Sequence, residues 1–256
     1  MTPIEKAEHA LNRRIERLQA SLRDAKSEAA QRFLFQSLVV CIGTGEALTA
    51  YVRMIGQYAQ ARHSELKQTH ATLTAQHAEL LESGNALLER LKANPADRVV
   101  RKEIEAAQRS MAAIQRNLRR GANALQREVA PSMALIDPLA LTAKRFGEAD
   151  ETDALRRVIK EVIGHVHELY RAQPTLPTRD IIDAAEWEKS ALAAIDEATD
   201  SHEAYARAGY QTMLALDVMT MAVSPTPPQT AGEAAQRANE SVAARLKEIT
   251  ARLTTG

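Results

Sequence analysis

Two histidines and two glutamates, Glu161, His165, His167 and Glu168, fall within eight consecutive residues. A group of that composition holds a divalent metal or relays protons when its side chains converge. Here the spacing keeps them apart. Positions 165 and 167 lie about 200° apart around a helix, so the two imidazoles flank the apolar stripe of Val158, Ile159, Val162, Val166 and Leu169 on opposite sides. Neither His165-x-x-Glu168 nor Glu161-x-x-x-His165 is the Glu-x-x-His pattern with which helical bundles hold carboxylate-bridged metals.

Glu46 and Asp217 raise a different question, because each stands in a run that is apolar on every helical face. An unpaired carboxylate there costs several kcal/mol or takes up a proton. The expected solution is an ion pair inside a helical bundle, with Arg53, Lys144 or Arg145 as the cation. The sharper alternative makes Glu46, Asp137, His165 and Asp217 the polar members of a bundle-core pocket for a metal or small ligand. No phosphate loop, glycine-rich dinucleotide fingerprint, nucleophile elbow or Cys-x-x-Cys pair occurs, so no catalytic residue and no cofactor is expected.

His63, His70 and His77 recur every seven residues, and Leu66, Leu73, Leu80 and Leu87 run between them with the same period. One stripe of a long helix therefore alternates leucine with histidine and needs a partner. Beyond the turn signal Asn94-Pro95-Ala96-Asp97, such a partner is offered by Val100, Ile104, Ala107, Met111, Ile114, Leu118, Gly121 and Leu125. Layered partners in an antiparallel pair have position numbers with a constant sum, and 191 works throughout. It sets Leu87 against Ile104, Leu80 against Met111, Leu73 against Leu118, Leu66 against Leu125 and His63 against Glu128. Gly121 is expected to make room for His70, and Gly84 with Ala107 to let the backbones approach. The histidines then fix the register of the pair and make it acid-sensitive.

These residues are positioned by helices. Ten glycines and nine prolines are few for 256 residues, and Ala, Leu, Glu, Arg and Gln dominate, which is a composition of long helices. No alternating β-branched run is long enough for a strand. Thr2 and Pro3 open an amphipathic helix with Ile4, Leu11, Ile15, Leu18 and Leu22 on one face. The stretch from Phe33 to Val52 approaches the ~20 apolar residues a bilayer requires, but Glu46 near its centre favours a helix buried in protein. Thr178 or Asp180, after Pro174 and Pro177, is the expected cap of a single helix reaching Val223 through Ile181, Ile182, Leu192, Ile195 and Met213.

The fold class expected is all-α: an elongated helical bundle with a long antiparallel coiled-coil hairpin. Residues 1–32 form an N-terminal amphipathic helix, 33–58 with 130–223 a bundle head, 59–129 the hairpin, 224–230 a Pro-rich linker and 231–256 a C-terminal amphipathic helix. The narrow stripes of the two terminal helices are expected to await one another, a second subunit or a membrane.

Lys plus Arg equals Asp plus Glu at 33 each and aromatics are 4%, which argues against a nucleic-acid surface. The single Cys41 suits a reducing compartment, and charges every few positions through the first thirty residues lead to a cytoplasmic expectation. The functional expectation is a non-enzymatic scaffold or adaptor acting through protein–protein contacts, as a homo-oligomer. The layout of an amphipathic N-terminal helix before long kinked helices is similar in outline to curvature-sensing BAR domains. That likeness implies a membrane surface as the alternative partner.

Overall fold

The structure, a computed structural model, describes residues 1–172 and 183–255, with only the backbone of Leu125. Among the described residues all regular structure is α-helical. The chain divides into two compact units, one of Met1–Tyr58 with Pro131–Gly256 and one of Ala59–Ala130.

Local sequence starts the first unit. The Thr2 hydroxyl accepts from the Glu5 backbone N–H at 3.2 Å while the Glu5 carboxylate accepts from the Thr2 N–H at 2.7 Å. This reciprocal cap, with Pro3 at the first position, opens α1 (Pro3–Asp24). Ser27 then caps α2 (Glu28–Ala93), its hydroxyl accepting from the Ala30 N–H at 3.2 Å. The boundary is thus at Ala25–Ser27, ahead of the change in patterning near Phe33. From Leu34 to Ile55 α2 is largely buried. It is the one helix among the described residues long and apolar enough to cross a membrane, and 56% of its apolar window is buried inside the protein.

After α3 (Arg98–Glu128) and the single turn α4 (Ala130–Ala134), the first unit continues with α5 (Ile136–Glu148) and α6 (Thr152–Ala172). It is completed by α7 (Ala184–Asp196), α8 (Ser201–Ala222) and α9 (Ala231–Thr255). The one long helix expected up to Val223 is two. Asp200 accepts from the Glu203 N–H at 2.8 Å, and Glu203 accepts from the Thr199 N–H and hydroxyl at 2.7 Å each, so a cap at Asp200, braced by Glu203 on Thr199, restarts the chain at Ser201. The expected caps Thr178 and Asp180, with Pro174, Pro177, Ile181 and Ile182, lie outside the described residues.

Tyr51, Leu48, Phe146, Ile159, Leu169, Tyr205 and Met213 are fully buried at the centre of this unit. The terminal stripes are covered here as well, which corrects the expectation that they stay available. Ala7, Ala10, Leu11 and Leu18 of α1 are buried, with α1 lying along α5. The approach is close enough that a Cβ on Gly147 would stand 2.9 Å from the Ala10 carbonyl carbon. Ala234, Ala238, Val242 and Ile249 of α9 are buried, with α9 lying along α8. The Pro-rich stretch before α9 is tied down, since Arg237 donates to the Thr226 carbonyl at 3.1 Å.

In the second unit Asp97 caps α3 by accepting from the Val99 and Val100 N–H groups at 2.9 and 3.1 Å. Arg62 of α2 reaches Glu128 of α3 through two hydrogen bonds of 2.6 and 3.1 Å, Arg90 approaches Glu103 at 3.7 Å, and His77 contacts Gln115 at 3.4 Å.

Candidate functional site

Two regions gather the chemistry-bearing and contact residues. The first is the heptad-spaced stripe of the Ala59–Ala130 unit. Leu66, Leu73, His77, Leu80, Gly84 and Leu87 of α2 are half-buried, as are Ile104, Ala107, Met111, Leu118 and Gly121 of α3, while Val100 and Ile114 are buried. Leu125 has no described side chain. His63 and His70 depart from the expected seam, because both are exposed. Glu128 pairs with Arg62, and among the described residues the polar contact of His70 is one of 3.4 Å with Thr74 on its own helix. Only His77 sits within the stripe, so the histidine ladder reduces to one imidazole.

The glycines of this unit also differ from expectation. A Cβ built on Gly84 or Gly121 would meet nothing within 4 Å, so neither serves a close approach of backbones. At Gly121 the missing side chain leaves a groove of about 270 Å³ lined by Leu66, His70, Leu73, Leu118 and Ala122. Beside the stripe, Leu81 and Leu88 are 50% and 45% exposed. Seven residues apart on α2, they form a second apolar line that faces solvent, a feature readable from their spacing.

The second region is the set of ion pairs in the first unit. Asp217 is 2% exposed, and Arg245 of α9 grips both its oxygens at 2.8 Å. Glu46 is only half-buried and pairs with Arg252, also from α9. The expected cations are engaged elsewhere or free of these carboxylates: Lys144 pairs with Glu148 at 2.7 Å, Arg145 with Glu161, and Arg53 is exposed. Asp137 is exposed in the first turn of α5. His165 lies 3.4 Å from the Thr142 hydroxyl and 3.5 Å from Glu168. The four candidate ligands Glu46, Asp137, His165 and Asp217 are therefore not brought together, and no cluster of three His, Cys, Asp or Glu side chains occurs among the described residues.

Arg14 is a residue that the sequence reading does not single out. Arg14 lies three residues after Leu11 and four before Leu18, so its place in the buried stripe was legible. It is 8% exposed, stacks over the Tyr205 ring at 4.4 Å and pairs with Asp150. Tyr205 in turn stacks on Phe146 with centroids 4.4 Å apart. Burial pushes the Tyr205 hydroxyl well above its ordinary pKa, and the neighbouring Cys41 adds to the rise. Burial likewise raises the Cys41 thiol to about 11, opposed by Tyr205 and by Arg14 and Arg17. A thiol so placed is a protonated core residue and not a nucleophile.

In comparisons with protein-family models, curated proteins and solved structures, nothing matches this chain. The geometry alone bears on function.

Proposed function

We propose that the protein is a non-enzymatic helical adaptor of the cytoplasm, whose Ala59–Ala130 unit is an antiparallel coiled-coil hairpin that binds the same unit of a second copy. The observation that carries this reading is the exposed line of Leu81 and Leu88 beside an incompletely buried stripe. Two helices give each other only one covered face, and leucines at heptad spacing outside that face are covered by further helices.

Charge favours a second copy as the occupant. Between residues 68 and 89, α2 carries Glu79, Glu82 and Glu89 and no Lys or Arg, while between 106 and 127 α3 carries Arg109, Arg116, Arg119, Arg120 and Arg127 and no Asp or Glu. An acidic helix and a basic helix in one unit are mutually complementary between two copies related by a two-fold axis. Cys41 as a buried, unpaired thiol supports a reducing compartment.

The test is the mass of the full chain in solution by light scattering beside Leu81→Glu/Leu88→Glu. The expected result is an oligomer that the double variant converts to monomer at unchanged helicity, and that weakens as salt rises. A wild-type chain that stays monomeric at tens of micromolar would overturn the reading. Co-sedimentation with anionic vesicles by a monomeric chain would point instead to the membrane alternative.

A further inference from the structure

A pocket of about 240 Å³ opens where α1, α6 and α8 converge in the first unit. Arg14 and Arg17 approach it from α1, Thr152 stands at the start of α6, and Ser201 and His202 at the start of α8. Two long helices thus bring their positive dipole ends to one cavity that also holds two guanidinium groups, with the Glu203 N–H of α8 already taken by Asp200.

Helix ends alone would decide nothing, but the polar side chains there are left incomplete. Arg14 is more than nine-tenths buried, and its Nε has no hydrogen-bond partner among the described residues. The Nδ1 of His202 is buried and equally without a partner. A buried guanidinium N–H left unsatisfied costs more than an ordinary lost hydrogen bond, so the bundle beside this pocket holds donors that its own fold does not satisfy. Among the described residues Asp150 is the sole carboxylate lining the pocket, and it meets one terminal nitrogen of each arginine: a close contact with Arg14 and a 3.5 Å contact with Arg17. Each guanidinium has five donors in a fork, so both retain capacity. With two arginines against one aspartate, the lining carries a net positive charge.

We propose that this pocket binds a phosphate group, held by Arg14, Arg17, His202 and the N-terminal N–H groups of α6 and α8. Arg guanidinium forks and helix N-termini both suit a tetrahedral oxyanion. The volume lies below the ~300–1,000 Å³ of sites for drug-sized ligands, so the occupant is inorganic phosphate or a small phosphomonoester. Asp150 competes with the ligand for the same two arginines.

Isothermal titration calorimetry of the full chain, at constant ionic strength set with chloride, tests this with inorganic phosphate and with glycerol 3-phosphate. Saturable binding of either is expected, phosphate alone if the free ion is the ligand and the ester more tightly if the spare volume is used. Arg17→Gln, at an exposed position that leaves the fold intact, is expected to weaken binding about tenfold or more, and Asp150→Asn to tighten it. Arg14→Gln is expected to abolish it, but because Arg14 also packs on Tyr205 the first two variants carry the test. Absence of saturable binding with both probes, or binding unchanged by Arg17→Gln and Asp150→Asn, overturns the proposal.

Discussion

Replacing Arg245 by Met isolates what the buried ion pair contributes. The substitution keeps most of the side-chain stem and removes the guanidinium, which leaves Asp217 at 2% exposure among Met213, Leu214, Leu216, Val218 and Met219 of α8 without either of its 2.8 Å hydrogen bonds. Breaking such a pair from one side costs about 3–5 kcal/mol, because a charge is stranded in an apolar site. Against a total stability of about 5–15 kcal/mol that is a large loss, equivalent to a fall of roughly 6–20 °C in Tm at about 2–4 °C per kcal/mol for a chain of this size. Removing both charges together, as Asp217→Leu/Arg245→Met, takes away the stranded carboxylate, so most of the loss is recovered. Trp187, the only tryptophan, donates from its indole to Gln211 of α8 at 2.8 Å. Its fluorescence during urea unfolding therefore reports on the helix that carries Asp217. A loss below about 1 kcal/mol in Arg245→Met, or a double variant no more stable than the single one, would refute the reasoning, since the coupling of the pair is what the cycle measures.

The folded-state pKa of Cys41 is raised to about 11, so its contribution is complete below the ordinary thiol range and is lost as pH climbs toward that value; wild type should lose about 1.4 kcal/mol more than Cys41→Ala between pH ~8 and ~10 in urea titrations. Gly147→Ala places a methyl group 2.9–3.1 Å from the Ala10 and Leu11 backbone, and the forced separation of α1 from α5 should cost about 1–3 kcal/mol by the same assay. Gly84→Ala and Gly121→Ala meet open space, so each should stabilise the second unit by about 0.5–1 kcal/mol through helix propensity, read as a higher thermal midpoint by circular dichroism; destabilisation by either would restore the close-approach reading of these glycines.

The elements that sequence defines best are those with local chemistry. Thr2, Pro3 and Glu5 mark the start of α1, and Asp97 marks that of α3, through caps whose residues lie within a turn of each other. The restart at Ser201 was legible in the same way, from Asp200 and Glu203, but an apolar pattern running across it reads as one helix. The half-buried stripe from Leu66 to Leu87 and from Ile104 to Gly121 follows directly from its period. The candidate sites were less legible because their partners are distant in the chain. That Asp217 needed a cation followed from its apolar neighbours; that the cation is Arg245 depends on α9 lying along α8, which no local signal dictates. Glu46 misled because apolar residues surround it in sequence, yet it lies half-exposed and within reach of Arg252.

Glycines whose missing side chain is replaced by a neighbour and glycines that face open space both occur in this protein, and the difference bears on where it offers surface. In the first unit Gly147 receives the backbone of α1, and a Cβ on Gly209 would stand 2.7 Å from Val40 and 2.9 Å from Phe146. There the absent side chain is replaced by another element, so packing contacts are kept and no apolar area is left over. In the second unit Gly121 is replaced by nothing, and the leucines around it line a groove. A helix pays the entropic cost of glycine in both cases, at about 0.5–1 kcal/mol, but only in the first does its own fold recover that cost. Gly121, with no neighbour in its side chain's place, and the exposed Leu81 and Leu88 lie in the same unit, and both are arguments about binding: the contacts that would cover them come from a partner, and this unit is the one through which the chain assembles in the proposal above.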